Sequence, residues 1–96
     1  MKMSREEFLS LSGIEHETLG VWIEQEWLIP SGSFVEPSFT DIDIARARLI
    51  RELLVDFGVN TEGVGVILNL VDQLHGVRRT LMELRQGVGT TPEKYR

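Results

Sequence analysis

Two short helical patterns joined at a glycine constrain the fold of this chain most. Ser4 and Glu7 have the spacing of a capping box, in which a hydroxyl and a carboxylate satisfy free amides at a helix start. The first helix should end at Gly13, and a second should run from about Glu15 to Glu26. Two short helices around a tight glycine-containing turn predict a helix-turn-helix motif.

The apolar side chains of these helices form the predicted core. Those expected to face inward are Phe8, Leu9 and Leu11 in the first helix, and Ile14, Leu19, Trp22 and Ile23 in the second. After them, residues 27–39 hold two short apolar runs around a Pro-Ser-Gly-Ser turn at 30–33, which predicts a small β-hairpin. Pro30 and Pro37 cannot donate to a strand ladder, so the hairpin should lie at an edge.

Two further helices follow the hairpin. Thr40 and the acids after it predict the start of a third helix, Gly58 its end, and Thr61 the cap of a fourth. The expected apolar stripe of the third helix is Ile42, Ala45, Leu49, Leu53 and Phe57, widened by Ile50 and Leu54. The predicted organisation is a helix-turn-helix domain over 1–60, a dimerisation or packing helix over 61–86, and a disordered tail over 87–96.

The fourth helix carries an apolar pattern that predicts pairing with another helix. Its positions are spaced 3, 4, 3, 4, 3, as coiled-coil positions are, and comprise Ile67, Leu70, Leu74, Val77, Leu81 and Leu84. The run is shorter than three heptads, and Gly76 costs about 1 kcal/mol relative to alanine. A homodimer through this helix is therefore expected, and packing within one chain is the alternative.

The charges of the chain are unevenly distributed. Residues 6–45 contain nine acidic side chains and no Lys or Arg, although the net charge of the whole chain is only −5. Nucleic-acid affinity rests mainly on cations that neutralise phosphates. The N-terminal half is thus poorly suited to DNA, and its expected partner is a basic protein surface.

The sequence contains no pattern that predicts catalysis or a bound metal. Cysteine is absent, which excludes disulfides and thiolate metal sites. His16 and Glu17 begin a zinc-protease motif, but position 20, where the second histidine belongs, is Gly20. No segment has the length of a membrane span or an apolar signal core, so we expect a cytoplasmic, non-enzymatic protein without a cofactor.

The order of elements resembles the MerR-type winged helix-turn-helix family. The matching segments are Gly13 to Leu19, Leu28-Ile29-Pro30 before the hairpin, and Phe39 to Ile44 at the start of the third helix. The resemblance covers roughly residues 3–85. It implies an all-α fold with a short β-hairpin wing and a long C-terminal helix that forms dimers.

Within that superfamily the chain resembles the CbpM-type chaperone modulators. The residues that carry this likeness are Ala45 to Phe57, with an Arg-x-x-Arg-Glu-Leu element, and Gly63 to Leu74, with a Leu-Val-Asp element. The resemblance implies a protein that binds the J-domain of a DnaJ-like, CbpA-type co-chaperone and blocks its stimulation of a DnaK-type chaperone.

An acidic surface with an apolar anchor could occupy the basic helix by which a J-domain engages its chaperone. The residues predicted to form this partner-binding surface are Glu15, Glu17, Glu24, Glu26, Trp27 and Phe34. The alternative for Trp27 and Phe34 is a place in the core, and the alternative for the acids is a solvated surface that binds no partner.

The alternative function is that of a MerR-like DNA-binding transcriptional regulator. Such regulators present arginines and tyrosines on the second helix, where this chain has Glu17, Gly20, Val21 and Trp22. A carboxylate about 6 Å from a phosphate is repelled by roughly 1–3 kcal/mol. Specific DNA binding is therefore not expected, and any residual binding would have to use Arg46, Arg48 and Arg51 of the third helix.

Overall fold

The computed structural model describes residues 2–90, and the side chains of residues 2–86. Its elements are α1 (Arg5–Ser12), α2 (His16–Glu24), β1 (Ser31–Gly32), β2 (Pro37–Ser38), α3 (Asp41–Arg51), a π-helical turn (Glu52–Asp56) and α4 (Thr61–Thr90). The chain folds into two compact units, and the division between them lies between Val64 and Gly65. This division is four residues after the predicted boundary at 60/61.

The predicted helix-turn-helix is confirmed. The Ser4 amide donates to Glu7 Oε1 at 2.8 Å, and the Glu7 amide donates to Ser4 Oγ at 3.2 Å, which completes the capping box. Gly13 ends α1 with a φ of 76°, and its amide donates to the carbonyl of Leu9 at 3.0 Å. Only glycine adopts this left-handed conformation without strain, so the sharp turn into α2 depends on it.

Phe8 and Phe39 form the centre of the core in the first unit. Their rings stack with centroids 4.3 Å apart, and neither side chain has any exposed surface. The Met3 and Phe39 amides and carbonyls exchange hydrogen bonds of 2.8 and 2.9 Å, which attach the N-terminal segment to the chain just after β2. Leu11, predicted to be buried, is exposed instead, because α1 turns only its Phe8 side fully inward.

The hairpin is present but its turn is shifted along the chain. β1 and β2 pair antiparallel, with Ser31 opposite Ser38 and Gly32 opposite Pro37. The turn therefore spans residues 33–36 rather than 30–33, and the Glu36 amide donates to Ser33 Oγ at 2.9 Å within it. A Cβ at Gly32 would lie 2.6 Å from the Glu36 carbonyl oxygen, so glycine is required where the two strands meet the turn.

The predicted apolar stripe of α3 is partly confirmed. Ile50 and Leu53 are buried as predicted, whereas Ile42 and Phe57 are exposed, and Ala47, outside the predicted stripe, is buried. The buried positions are three residues apart, and the π-helical turn that begins at Glu52 winds more widely, which carries Phe57 away from the core side. The predicted end of the segment is confirmed, since Gly58 has a φ of 64°.

The fourth helix starts one residue earlier than the sequence predicts, and it ends later. Asn60, rather than Thr61, is its cap, since the Gly63 amide donates to Asn60 Oδ1 at 2.7 Å. The helix continues to Thr90, so residues 87–90 are helical and not part of a disordered tail. The rest of the predicted tail, residues 91–96, lies outside the described residues.

Candidate protein-docking surface

The outward face of α2 carries acids and small apolar residues. Glu17, Gly20, Val21 and Glu24 have the spacing i, i+3, i+4, i+7 that places side chains on one side of a helix, and all four are exposed. No Lys or Arg lies on α2. In a helix-turn-helix protein the second helix is the one that enters the DNA major groove, so this helix would bring carboxylates towards phosphates.

The four glutamates predicted as one surface lie towards the two ends of α2. Glu15 precedes the first residue of the helix and Glu24 is its last, a separation of about 13 Å along the axis at 1.5 Å per residue. All four carboxylates are exposed. Glu15 and Arg51 line a common surface depression, so the charge at the first end is partly offset by a cation. The second end, with Glu24 and Glu26, adjoins the hairpin.

Trp27 was predicted to contact a partner, and this prediction is wrong. Its side chain is only 6% exposed and packs against Trp22, with ring centroids 6.4 Å apart. Its carbonyl accepts a hydrogen bond from Arg46 Nε. The chain reverses at Glu26, whose φ of 63° turns Trp27 back under α2, and this reversal buries the indole in the core.

Phe34, the other predicted anchor, lies at the tip of the hairpin and is 95% exposed. Its neighbour Val35 and the more distant Ile29 are also largely exposed. Val35 and Ile29 are absent from the predicted site because each belongs to an apolar run in the sequence, and such a run indicates a strand with one buried face. Val35 instead lies within the turn at 33–36, Ile29 lies before β1, and the two-residue strands are too short to cover either side chain.

A groove of about 280 Å³ lies between the end of α2 and the hairpin. We call it the hairpin groove. Its apolar lining consists of Ile23, Leu28, Ile29, Pro30, Phe34 and Pro37, and its charged lining residues are Arg5 and Glu26. Glu24 and Glu36, both exposed, are sequence neighbours of this lining. The groove thus combines exposed apolar surface with one carboxylate and one guanidinium in its lining, and two further carboxylates lie next to lining residues in the sequence.

Two of the three arginines considered for residual DNA binding make structural hydrogen bonds. Arg46 Nε donates to the carbonyl of Trp27, and Arg51 Nη2 donates to the carbonyl of Ser12 at 3.3 Å. Both carbonyls follow or end a helix, where a guanidinium satisfies free acceptors and complements the helix dipole. Arg48 is exposed on α3. The third helix therefore offers DNA fewer available cations than its sequence suggests.

In the second unit, the positions predicted for dimerisation are largely exposed. Leu70, Leu74, Val77, Leu81 and Leu84 have exposed fractions of 50–61%, while Ile67 is partly buried. An apolar row of this length on a helix is a surface that association with another chain can bury.

Among residues 2–90, no group of three or more His, Asp or Glu side chains is arranged to hold a metal ion. Within the same part of the chain, none of the helices combines the length and the apolar composition needed to cross a bilayer.

The capped α1, the glycine turn and α2 define a helix-turn-helix protein. The family model described as MerR HTH family regulatory protein matches residues 3–86, so the chain belongs to the MerR helix-turn-helix family of regulatory proteins. The match spans both compact units. No curated protein and no solved structure matches the chain.

Proposed function

We propose that this MerR-family protein is a non-enzymatic modulator that binds the J-domain of a DnaJ-like, CbpA-type co-chaperone and inhibits its action on a DnaK-type chaperone. The observation that supports the proposal most is the almost fully exposed Phe34 within a segment that has nine acids and no Lys or Arg. An exposed aromatic side chain with carboxylates nearby suits a basic protein surface, because the ring supplies desolvation energy and the acids supply steering and orientation.

A DNA-binding regulator is the second candidate, and membership of the MerR regulatory family favours it. The residues that would face a duplex count against it. The exposed side of α2 carries Glu17 and Glu24, and the turn of the hairpin adds Glu36 without any Lys or Arg. With Arg46 and Arg51 engaged by carbonyls, little remains to supply the phosphate contacts on which non-specific affinity rests.

The proposed modulator is cytoplasmic and works as a homodimer. The exposed apolar row on α4, from Leu70 to Leu84, supports dimerisation, because a solitary helix with such a row is marginally stable in water. Dimerisation would present two copies of the acidic surface. A partner that carries two J-domains would then gain affinity from the linkage of the two binding events.

Calorimetric titration of a DnaJ-like J-domain tests the proposed function. We expect binding that weakens as sodium chloride is raised from low to moderate concentration, because exposed charge pairs are screened within about 10 Å at 0.1 M salt. The double variant Glu24→Gln/Glu26→Gln should bind more weakly and show a smaller salt dependence. Affinity that stays constant over this salt range would contradict the electrostatic mechanism.

A gel-shift assay at low salt separates the two candidates. The modulator should show no sequence-selective retardation of duplex DNA, while the J-domain titration shows binding. Tight, selective DNA binding together with an inert J-domain would instead establish the regulator function. The variant Arg48→Gln serves as the control in the J-domain titration, since Arg48 is an exposed arginine of α3 outside the predicted partner-binding surface.

A further inference from the structure

We infer that the hairpin groove is the docking site for a basic amphipathic helix, and that Ile29, Phe34 and Glu26 are its contact residues. The inference rests on the proposed function where it assigns this helix to a J-domain. It goes beyond that function because it selects one end of α2 and adds Ile29, which the sequence pattern had not indicated.

The exposed apolar side chains locate the docking site. Ile29 is 74% exposed, and it lines the groove together with the almost fully exposed Phe34. Val35 is also exposed, but it lines a neighbouring depression and not this groove. Two large exposed apolar side chains on one groove mark a candidate binding surface, whereas single exposed apolar residues are ordinary.

The size of the groove and the length of the strands restrict the kind of occupant. A volume of about 280 Å³ is below the range typical of small-molecule sites, so it suits a few inserted side chains. The strand β1 has two residues, which is too short an edge to hold an added strand through main-chain hydrogen bonds. Side chains projecting at i, i+3 or i+4 from a helix fit these limits.

The charged residues around the groove determine which charge the partner helix should carry. Glu26 and Arg5 are its charged lining residues, and the exposed Glu24 and Glu36 each adjoin a lining residue in sequence, within a segment from 6 to 45 that has nine acids and no Lys or Arg. The partner helix should therefore carry Lys or Arg beside its apolar anchors. The depression at the opposite end of α2 also pairs one acid, Glu15, with one cation, Arg51, so the strongly exposed Ile29 and Phe34 are what distinguish the hairpin groove.

The test compares matched pairs of variants in a J-domain titration. Ile29→Ala is paired with Ile42→Ala, since these isoleucines are 74% and 77% exposed, and Phe34→Ala is paired with Phe57→Ala. Phe34→Ala should weaken binding about tenfold or more, and Ile29→Ala severalfold, as anchors at the centre of an interface do. The two control variants should stay within about twofold of the wild type.

Substitutions of the two charged lining residues should change the affinity for the J-domain in opposite directions. Glu26→Gln should weaken binding about two- to threefold, whereas Arg5→Gln should strengthen it by a similar factor, because Arg5 repels a basic helix. Equal weakening by both substitutions would overturn the charge assignment.

The outcomes separate this inference from the proposed function. If the J-domain binds and Phe34→Ala behaves like Phe57→Ala, the groove is not the site, although the function stands. If the J-domain does not bind, the proposed function fails, and a synthetic Leu/Lys amphipathic helix decides the inference. Binding of that peptide with the same variant pattern, and none of its Leu/Glu counterpart, would support the groove; no binding of the Leu/Lys peptide would overturn the inference.

Discussion

At the scale of single residues, arginines that look like DNA ligands in the sequence hold the fold together. Arg46 reaches from α3 to the carbonyl of Trp27, and Arg51 reaches to the carbonyl of Ser12 beside the glycine turn. Each therefore links α3 to the end of another helix. Since these carbonyls lack a helical amide partner, the guanidinium groups replace water there and fix the angles between helices.

Arg46→Gln should lower the free energy of unfolding by about 1–3 kcal/mol, because it removes a charged donor from a carbonyl of the buried Trp27. Urea denaturation followed by tryptophan fluorescence measures the effect. Arg48→Gln, an exposed substitution on the same helix, should change the stability by less than about 0.5 kcal/mol. Equal effects of the two substitutions would contradict the structural role of Arg46.

Gly20 and Gly58 allow the effect of backbone conformation on stability to be measured separately from the effect of side-chain packing. A Cβ at either position would have no atom within 4 Å, but Gly58 has a φ of 64° and Gly20 lies in the middle of α2. Gly58→Ala should therefore destabilise the protein by about 1–2 kcal/mol. Gly20→Ala should stabilise it by up to about 1 kcal/mol, because alanine favours helix.

Thermal unfolding of both alanine variants checks this pair. The melting temperature should fall for Gly58→Ala and rise for Gly20→Ala. A fall in both would mean that α2 depends on glycine for a reason other than backbone conformation.

At the scale of helices and strands, capping patterns predicted the starts of α1 and α3 and missed the start of α4 by one residue. Ser4 and Thr40 lie where expected, and the Thr40 amide donates to Asp43 Oδ2 at 2.9 Å, whereas Asn60 rather than Thr61 caps α4. In α3 the predicted stripe was right at Ile50 and Leu53 but wrong at Ile42 and Phe57, because several apolar positions compete and neighbouring elements decide which of them is covered. The π-helical turn adds a change of winding that no local pattern indicates.

The apolar row on α4 leads to a prediction about association. Leu81→Gln should weaken self-association, because it places an amide in the row predicted to form the dimer. Met82→Gln is the matched control, since Leu81 and Met82 are 59% and 61% exposed but only Leu81 belongs to the row. Sedimentation velocity over a range of concentrations distinguishes them. If both variants sediment like the wild type, the row does not mediate association.

At the scale of the whole molecule, the acidic segment and the exposed apolar row lie in different compact units. The first unit holds the acidic segment and the hairpin groove, and the second holds the apolar row on α4. Under the proposed function, the first unit would bind the basic partner and the second would self-associate. Salt should then weaken the partner contact but affect the apolar contact little.

The melting temperature should rise with protein concentration if α4 forms a dimer only in the folded state, because association then stabilises the native chain by mass action. Scanning calorimetry over a wide range of concentration measures this dependence. The Leu81→Gln variant should show a smaller rise, and a concentration-independent melting temperature in the wild type would contradict coupled dimerisation.

Local chemistry in the sequence determined the helix starts, the glycine turn, the membership of a helix-turn-helix class and the excess of acids, because caps, left-handed glycines and net charge act within a few residues. The tertiary structure alone decided that Trp27 is buried while Phe34 is exposed. The sequence presents both as aromatic residues near a turn, and only the chain reversal at Glu26 and the short strands place one in the core and one in solvent. Burial depends on which other parts of the chain pack against a side chain, which is why the sequence indicated the excess of acids but not which of the two aromatic side chains is exposed.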